Sequence, residues 1–278
     1  MAIKFDAEAA TVALYNFTEG SGNSVADSSG NAYTLSLQAG ATSWGTDDRF
    51  GTYMIFGGST VLGYMAQAAA LEVQTLTVEM IIRYSDYPAS SGNPFGYVVQ
   101  GAPSDGRGWY YTQAGTGVAV FQLGDGDGSW DDAAGSTVIP RNQWFYHAFT
   151  YDGAAQALWR CGEADGSANN ATTILYTPIG GYPSNTCIFL GASANSGPAW
   201  GSYINYLHAA SIRVSNVAKT AAQLYAVQQT LQICPTAGQY LPTPQGTLGV
   251  PVSLGSPYHR YKSLRQAANE LGKLRLTP

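Results

Sequence analysis

The chain has 278 residues, of which 45% are hydrophobic, 12% aromatic and only 11% charged, with 33 glycines and a formal net charge of −5. Many aromatic residues and little charge exclude a disordered chain and a coiled coil, and the negative charge argues against nucleic-acid binding. No apolar run reaches the ~18 residues of a membrane-spanning helix. The first residues, with Lys4, Asp6 and Glu8, lack the apolar segment of a secretory signal, so we expect synthesis in a cytoplasm and no membrane partner.

The clearest strand signal lies in residues 76–84. One face of this segment carries Leu76, Val78, Met80, Ile82 and Tyr84. The other face carries Thr77, Glu79 and Arg83. This alternation predicts a half-buried antiparallel strand whose apolar residues point into a core.

Further short strands are predicted along the chain, separated by clusters of glycine, serine, asparagine and proline. Residues 144–151 have aromatic side chains on both faces, which indicates a strand covered on both sides. The other predicted strands are 11–17, 52–56, 97–100, 108–112, 117–123, 157–161, 173–176, 187–190, 203–207 and 209–215. Many short strands with such turns favour an all-β fold, a two-sheet antiparallel jelly-roll sandwich.

One short helix is predicted after these strands, at residues 220–231. Thr220 and Gln223 have the spacing of a capping box, and Leu224, Val227 and Leu231 repeat at helical spacing. The three cysteines, Cys161, Cys187 and Cys234, are odd in number and far apart. They fit reduced, buried thiols better than a disulfide framework or a zinc site.

The composition changes at residue 235, which divides the chain into a domain of residues 1–234 and an arm of residues 235–278. Residues 1–234 hold 8 basic and 17 acidic side chains, a net charge of −9, and the arm holds 5 basic and 1 acidic, a net charge of +4. Repeated proline and glycine predict an extended arm that ends in an amphipathic helix. Its expected assembly residues are Arg260, Tyr261, Lys262, Leu264, Arg265, Leu271 and Leu274. The helix could fold back on its own domain, but the long spacer favours docking on a partner.

Six motifs occur in the order typical of one family. They include residues 12–22 (VALYNFTEGSG) with 27–31 (DSSGN), residues 49–58 (RFGTYMIFGG), residues 75–83 (TLTVEMIIR) and residues 143–153 (QWFYHAFTYDG). Over residues 10–231 the chain resembles the laminin-G-like branch of the concanavalin A-like lectin/glucanase superfamily. The resemblance implies a jelly-roll sandwich. Three acidic positions of the family pattern are occupied by Gly57, Cys161 and Ala210, which puts the usual calcium and sugar chemistry in doubt.

The sequence gives no catalytic set. The glucanase relatives use two carboxylates on one strand face, one as acid and one as nucleophile, whereas the strands here carry Glu79 alone. The three histidines, His147, His208 and His259, are scattered, and His147 is expected to be a packed core residue. We therefore expect no enzyme and no cofactor.

Two kinds of binding site remain candidates. Asp125 and Asp127 begin like a calcium loop, but the later positions of that loop carry no matching ligands, so a solvated turn is favoured over a metal site. Among the aromatic residues Trp109, Tyr110, Trp130 and Trp200, the last two lie in glycine- and serine-rich loops. Trp130 and Trp200 are therefore the candidates for stacking on a glycan.

Two functions are open at this point. A jelly roll with a basic arm resembles decoration, fibre or tail-associated components of bacteriophage virions, which implies localisation in a virion, homo-oligomers and other virion proteins as partners. The alternative is a carbohydrate-binding adhesin module that recognises host-surface glycans. An acidic domain and a basic arm favour the structural role, because like subunits could dock arm to domain.

Overall fold

The computed structural model describes residues 2–37, 42–56, 63–64, 68–85, 92–98, 107–113, 116–127, 130–176, 187–190, 192–193, 201–203 and 207–234. By its backbone contacts the chain divides into Met1–Ile233 and Cys234–Pro278. Residues 235–278, which hold the predicted arm and its helix, lie outside the described residues, and the predicted domain boundary stays a prediction. No helix in the described part is long and apolar enough to cross a membrane.

The described elements are almost all strands. In chain order they are β1 (Thr11–Tyr15), β2 (Ser24–Val25), β3 (Leu35–Leu37), β4 (Thr42–Asp47), β5 (Gly51–Phe56), β6 (Gly63–Tyr64), a 3₁₀ turn (Ala69–Leu71), β7 (Leu76–Tyr84), β8 (Gly92–Val98), β9 (Arg107–Gln113), β10 (Val118–Asp125), β11 (Asp131–Val138), β12 (Phe145–Tyr151), β13 (Gln156–Arg160), β14 (Glu163–Ala168), β15 (Cys187–Leu190), β16 (Ala192–Ser193), β17 (Gly201–Tyr203), β18 (Leu207–Ser215) and α1 (Ala221–Leu231).

These strands form two large antiparallel sheets. Sheet A has the order β14-β13-β12-β7-β18-β5-β4, and β1 also pairs with β18. Sheet B has the order β11-β10-β9-β8-β15-β6-β3-β2, and β16 and β17 form a separate pair. The predicted all-β, two-sheet jelly-roll sandwich with one short helix is confirmed.

The core between the two sheets is aromatic. Phe149 of β12 in sheet A stacks on Phe121 of β10 in sheet B, with ring centroids 3.9 Å apart. Trp109 and Tyr111 of β9 also contact Phe149, with centroid distances of 5.8 and 6.1 Å. Burying each large ring stabilises the fold by roughly 1.5–3 kcal/mol, and the contacts show which residues of β9 and β10 face inward.

Strand β7 is confirmed, but it is buried on both faces. Leu76, Val78, Met80 and Ile82 are at most 1% exposed, as expected for the core face. Thr77 and Glu79, on the face predicted to meet solvent, are also 0% exposed. The half-buried prediction is wrong because the chain's first residues and the segment before α1 cover this outer face.

The N-terminal segment supplies part of that cover. The ring of Phe5 packs edge-on against Tyr146 of β12, with centroids 6.1 Å apart. Lys4 Nζ donates to the carbonyls of Thr52 and Ala210, at 2.6 and 2.7 Å. Burial lowers the pKa of Lys4 to about 8, although the charge of Glu19 acts in the opposite direction. Residue 210, where the family pattern has an acid, is thus a buried alanine whose carbonyl is used by Lys4.

Helix α1 begins as predicted. The backbone N–H of Gln223 donates to the Thr220 hydroxyl, and the Gln223 side chain accepts from the backbone N–H of Thr220, which forms the capping box. The helix buries Leu224, Gln228 and Leu231, so the predicted apolar stripe is correct at Leu224 and Leu231. The helix ends at Gln232, which has a left-handed backbone.

One predicted strand is wrong, and the last predicted strand is longer than expected. Residues 173–176 are not a strand, because Leu175 makes only isolated backbone bonds, to Gly124 and Gly108 at the ends of β10 and β9. The prediction at 203–207 falls mostly on residues outside the described ranges, within which β17 ends at Tyr203 and β18 begins at Leu207. The predicted strand at 209–215 is confirmed as part of β18, from Leu207 to Ser215. This last strand continues through a bulge between Ala209 and Ser211.

The cysteine prediction is wrong for two of the three residues. Cys161 and Cys234 are disulfide-bonded. Cys161 and Gly162 form the two-residue turn between β13 and β14, with φ angles of +55° and +79°. Two positive φ angles are the mark of a type I′ hairpin, so Cys161 keeps the turn where the family pattern has Asp-Gly.

Candidate functional site

The outer face of sheet B carries two of the four aromatic residues that are candidates for stacking on a glycan. On β9, Trp109 and Tyr111 point into the core, where both are 0% exposed. Side chains alternate along a strand, so Tyr110 between them points to the outer face, where it is half-buried. Trp109, one of the four aromatic residues named from the sequence, is therefore a core residue.

Tyr110 and Trp130 form an aromatic corner on this face. Their ring centroids are 4.5 Å apart and their planes are inclined by 72°. Trp130 directly precedes β11, and it is also half-buried. The structure thus brings together two of the four aromatic residues considered from the sequence, whereas Trp200 lies outside the described residues.

A polar pair lies beside the aromatic corner. In the antiparallel register Tyr110 is opposite Gln122, and Gln122 is opposite Asp132. The Gln122 side-chain amide donates to the Asp132 carboxylate. One cross-strand row therefore presents a ring, an amide and a carboxylate to the same surface.

The electrostatics of this row are set by Asp132. Burial raises the pKa of the Asp132 carboxyl, the hydrogen bond from Gln122 lowers it, and the charge of Asp131 raises it further. Burial, and then the negative charge of Asp132, raise the pKa of the Tyr110 hydroxyl well above its usual value. At neutral pH Tyr110 therefore remains a neutral hydrogen-bonding group.

The register continues past Tyr110 to a glycine. Gly96 of β8 is opposite Tyr110, Phe189 of β15 is opposite Gly96, and Tyr64 of β6 is opposite Phe189. Because glycine has no side chain, nothing projects from β8 at this position beside the Tyr110 ring. The sequence alone did not indicate that Gly96 lies opposite Tyr110, because that pairing depends on strand register.

Asp131, the first residue of β11, anchors the backbone next to Trp130. Its carboxylate accepts a hydrogen bond from the Thr172 hydroxyl, and its carbonyl accepts from the Gln156 side chain at 3.1 Å. Thr172 is itself fixed by Tyr151, whose hydroxyl accepts from the Thr172 N–H at 2.8 Å. This chain of bonds fixes the backbone next to Trp130, which limits the entropy lost when a ligand orders the site.

The predicted metal candidates lie at the end of β10. Asp125 and Asp127 are exposed. Asp125 Oδ1 accepts a hydrogen bond from the Asp127 N–H at 3.0 Å, which is the geometry of an Asx turn. Among the residues that the structure describes, no group of three histidine, cysteine or acidic side chains could hold a metal ion. Weak or no calcium binding at Asp125 and Asp127 remains a prediction.

Glu79, the strand carboxylate considered for hydrolysis, and Asp152, an acid of the 143–153 motif, both have structural roles. Glu79 is fully buried, accepts hydrogen bonds from Arg213, Lys219 and Tyr146, and forms ion pairs with the two basic residues. Asp152 caps an exposed turn, where the N–H groups of Ala155 and Ala154 lower the pKa of its carboxyl. Neither arrangement offers a pair of carboxylates to a sugar.

Two of the three histidines are described. His147 is 0% exposed in the core, where its Nδ1 lies 2.9 Å from the Tyr111 hydroxyl, so the expectation of a packed core residue is confirmed. Burial lowers its pKa to about 4. His208 lies on the outer face of sheet A, and His259 and the seven assembly residues of the arm lie outside the described residues.

Three-dimensional comparison finds the same fold in the binding domains of two other proteins. The binding domain of botulinum neurotoxin serotype G matches with a TM-score of 0.59 and 12% identity, over 79% of this chain and 51% of that one. The binding domain of Paraclostridial Mosquitocidal Protein 1 matches with a TM-score of 0.59 and 13% identity, over 79% of this chain and 52% of that one. This chain therefore spans about half the length of these structures.

An enzyme structure is also among the matches. The Trypanosoma rangeli sialidase in complex with sialic acid matches with a TM-score of 0.55 and 9% identity, over 81% of this chain and 34% of that one. At these identities the likeness shows the fold alone. No curated protein matches the sequence.

The sequence itself matches one family model. The Laminin_G_3 model, described as concanavalin A-like lectin/glucanases superfamily, matches residues 56–224. These residues include β7, the aromatic row of sheet B and the capped start of α1. The chain belongs to the laminin-G-like branch of the concanavalin A-like lectin/glucanase superfamily.

Proposed function

We propose that this chain is a non-enzymatic glycan-binding module that uses the outer face of sheet B. The observation that carries the proposal is the Tyr110–Trp130 corner beside the hydrogen-bonded Gln122–Asp132 pair. A pyranose ring has an apolar face that can stack on an aromatic ring, and hydroxyl groups at its edge that need planar donors and acceptors. A partly apolar surface with a few convergent polar groups is the general form of a small-ligand site.

Two further observations support a binding role. The fold is shared with the binding domains of botulinum neurotoxin serotype G and Paraclostridial Mosquitocidal Protein 1, although at identities that show only the fold. Cys161 and Cys234 are disulfide-bonded, and disulfides persist mainly in oxidising surroundings such as the cell exterior. Both features suit a module that meets glycans outside a cytoplasm.

The virion structural role stays an untested prediction. None of the three structures named above is a virion protein, and the arm on which the assembly hypothesis depends lies outside the described residues. The glycan-binding alternative is favoured because it uses side chains whose geometry is described.

A glycan array followed by calorimetry on the best saccharide tests the proposal. Trp130→Ala removes one ring of the corner and should weaken binding at least tenfold. Tyr225→Ala is a matched control, because Tyr225 is a 52%-exposed aromatic residue on α1, and it should leave binding unchanged. An array with no bound saccharide, or equal affinity of Trp130→Ala and the unchanged protein, would refute the proposal.

A further inference from the structure

A second cluster of aromatic and basic side chains lies on the outer face of sheet A, on the opposite side of the sandwich. Arg83 of β7 is opposite His208 of β18, and His208 is opposite Ile55 of β5. The Arg83 guanidinium carbon lies 5.4 Å from the centre of the Tyr53 ring and 5.1 Å from the centre of the Trp144 ring. We call Arg83, His208, Tyr53 and Trp144 the Arg83 cluster.

The guanidinium group is held in one orientation. Arg83 Nη2 donates to the Tyr53 hydroxyl at 3.2 Å and to His208 Nδ1 at 2.6 Å. Tyr53 stacks on His208, with centroids 5.5 Å apart and planes inclined by 18°. This close packing depends on Gly45 of β4, where a Cβ atom would lie 2.4 Å from the Tyr53 ring.

The bond to Arg83 fixes the proton of His208. Because an arginine can only donate, His208 Nδ1 must accept, and the ring proton is then on Nε2. Burial, and then the charge of Arg83, lower the pKa of His208 to about 4. At neutral pH the cluster therefore carries one positive charge, and His208 Nε2–H is left as a neutral donor.

No carboxylate within the described residues forms an ion pair with Arg83. Asp47 lies behind Trp144, and its oxygens accept from Trp144 Nε1 at 3.0 Å and from the backbone N–H groups of Arg49 and Phe50. Arg83 Nε is buried and has no hydrogen-bond partner among the described residues. Arg213 on the same sheet differs, since it forms ion pairs with Glu79 and Glu8.

A fixed, partly desolvated guanidinium group that has no carboxylate partner in the described part of the chain is suited to an anion. Arginine presents its N–H groups in a planar fork that matches the oxygens of a carboxylate or sulfate. Water is a poor substitute for such an anion at a partly buried charge, because the local dielectric constant is lower than in bulk water. Because the surrounding rings already restrict the Arg83 side chain, less conformational entropy is lost when the ligand binds.

We propose that the Arg83 cluster binds a single carboxylate or sulfate group, with Arg83 as the charged contact and His208 as an adjacent donor. Such a group can come from an acidic saccharide or from a free inorganic or organic anion, and the chemistry recognised is the same. The site is distinct from the Tyr110–Trp130 corner, so it does not depend on the proposed glycan function.

The side-chain Nε–Hε signals of arginine in nitrogen-15 NMR spectra give a direct test. The Arg83 signal is assigned by its absence in Arg83→Lys, and the protein is titrated with sulfate, acetate, glucuronate and glucose at constant ionic strength maintained with chloride. Sulfate, acetate and glucuronate should shift the Arg83 signal saturably, and neutral glucose should not. Tighter binding of glucuronate than of acetate would identify the acidic saccharide as the source, and equal binding would identify the free anion.

Matched variants separate this site from general salt effects. Arg49 also lies over an aromatic ring, 5.4 Å from the centre of Phe50, but its Nη2 already donates to the Gln232 carbonyl. The Arg49 signal, assigned by Arg49→Gln, should shift little or without saturation. His208→Gln should weaken anion binding several-fold. Trp130→Ala should leave the anion affinity unchanged, whether or not the outer face of sheet B binds glycans.

Three results would overturn the proposal. An Arg83 signal that does not shift would show that the guanidinium is only a structural clamp. Identical, non-saturating shifts with chloride and sulfate, or equal shifts at Arg83 and Arg49, would show an adventitious ion only. If Arg83→Lys folds poorly, the Arg83 signal is assigned instead by through-bond correlation to its own backbone in the unchanged protein, so these outcomes remain decisive.

Discussion

Glu79 and Arg213 are opposite one another on β7 and β18, and both are buried within sheet A. Arg213 Nε donates to Glu79 Oε2 at 2.8 Å, and Lys219 Nζ lies 2.7 Å from the same oxygen. Glu8, which is 41% exposed, contacts both basic groups at 2.6 and 2.7 Å. Two acids and two bases therefore cancel in charge and link the N-terminal segment, the sheet and the start of α1.

Glu79→Gln should destabilise the fold strongly. The substitution leaves Arg213 and Lys219 buried with only Glu8 as a counter-charge, and breaking a buried ion pair costs roughly 3–5 kcal/mol. Urea unfolding monitored by tryptophan fluorescence measures this change. Glu8→Gln is the control and should cost less, because solvent screens its exposed carboxylate. Equal, small losses for both variants would show that the cluster contributes little to stability.

The stability of the domain should fall as the pH is lowered from about 6.5 to about 4. Burial lowers the pKa of His147 from 6.5 to about 4 in the folded chain. In this window the unfolded chain binds a proton that the folded chain does not bind, so the free energy of unfolding decreases. For the fully buried His147 the loss is on the order of 3 kcal/mol. His208 should add a smaller loss, because it is half-exposed.

The pH dependence can be assigned by substitution. His147→Gln should flatten the fall in unfolding free energy between pH 6.5 and 4, even if it lowers stability throughout that range. His208→Gln should flatten it less. An unchanged slope in both variants would mean that carboxylates, and not these histidines, control acid unfolding.

Free thiols give a separate prediction. Because Cys161 and Cys234 are disulfide-bonded, the oxidised, denatured chain should react with one equivalent of a thiol reagent, and the reduced chain with three. Reduction should lower the free energy of unfolding by about 2–4 kcal/mol, since the bond restricts the unfolded chain. Three reactive thiols before reduction would support the reduced cysteines expected from the sequence.

Sequence patterns predicted strands rich in apolar and aromatic residues and missed strands made of small and polar residues. β7 was clear because five apolar residues recur with period two. β11 and β14 were missed because their sequences, DDAAGSTV and EADGSA, are small and polar. They pack closely through glycine instead. A Cβ at Gly166 of β14 would lie 2.0 Å from the Ala134 carbonyl of β11. That requirement depends on contacts between distant segments, which periodicity does not show.

The candidate sites were predictable only in part. Trp130 was selected because it lies in a polar loop, but its partners Tyr110, Gln122 and Asp132 depend on the register of β9, β10 and β11. Likewise, Glu79 was read as a solvent-facing residue because local alternation cannot reveal that Arg213 and Lys219 cover it. Residue types gave the chemistry, whereas strand register determined which residues meet.

The proposed glycan site should prefer neutral saccharides over acidic ones. Asp131 and Asp132 lie beside the aromatic corner, and Asp125 and Asp127 lie at the nearby end of β10. These carboxylates repel an anionic sugar, and the repulsion should be strongest at low salt, where screening is weakest. We expect a neutral oligosaccharide that binds to lose several-fold in affinity when a uronic or sialic acid is added to it.

Asp132→Asn should reduce that difference in affinity between the acidic and the neutral sugar without abolishing binding of the neutral sugar. Burial raises the pKa of Asp132, so lowering the pH should also reduce the difference as this carboxyl becomes neutral. Calorimetry of the paired sugars at two salt concentrations and two pH values measures each effect. Stronger binding of the acidic sugar that is lost in Trp130→Ala would contradict the predicted selectivity, whereas loss in Arg83→Lys alone would assign that binding to the Arg83 cluster.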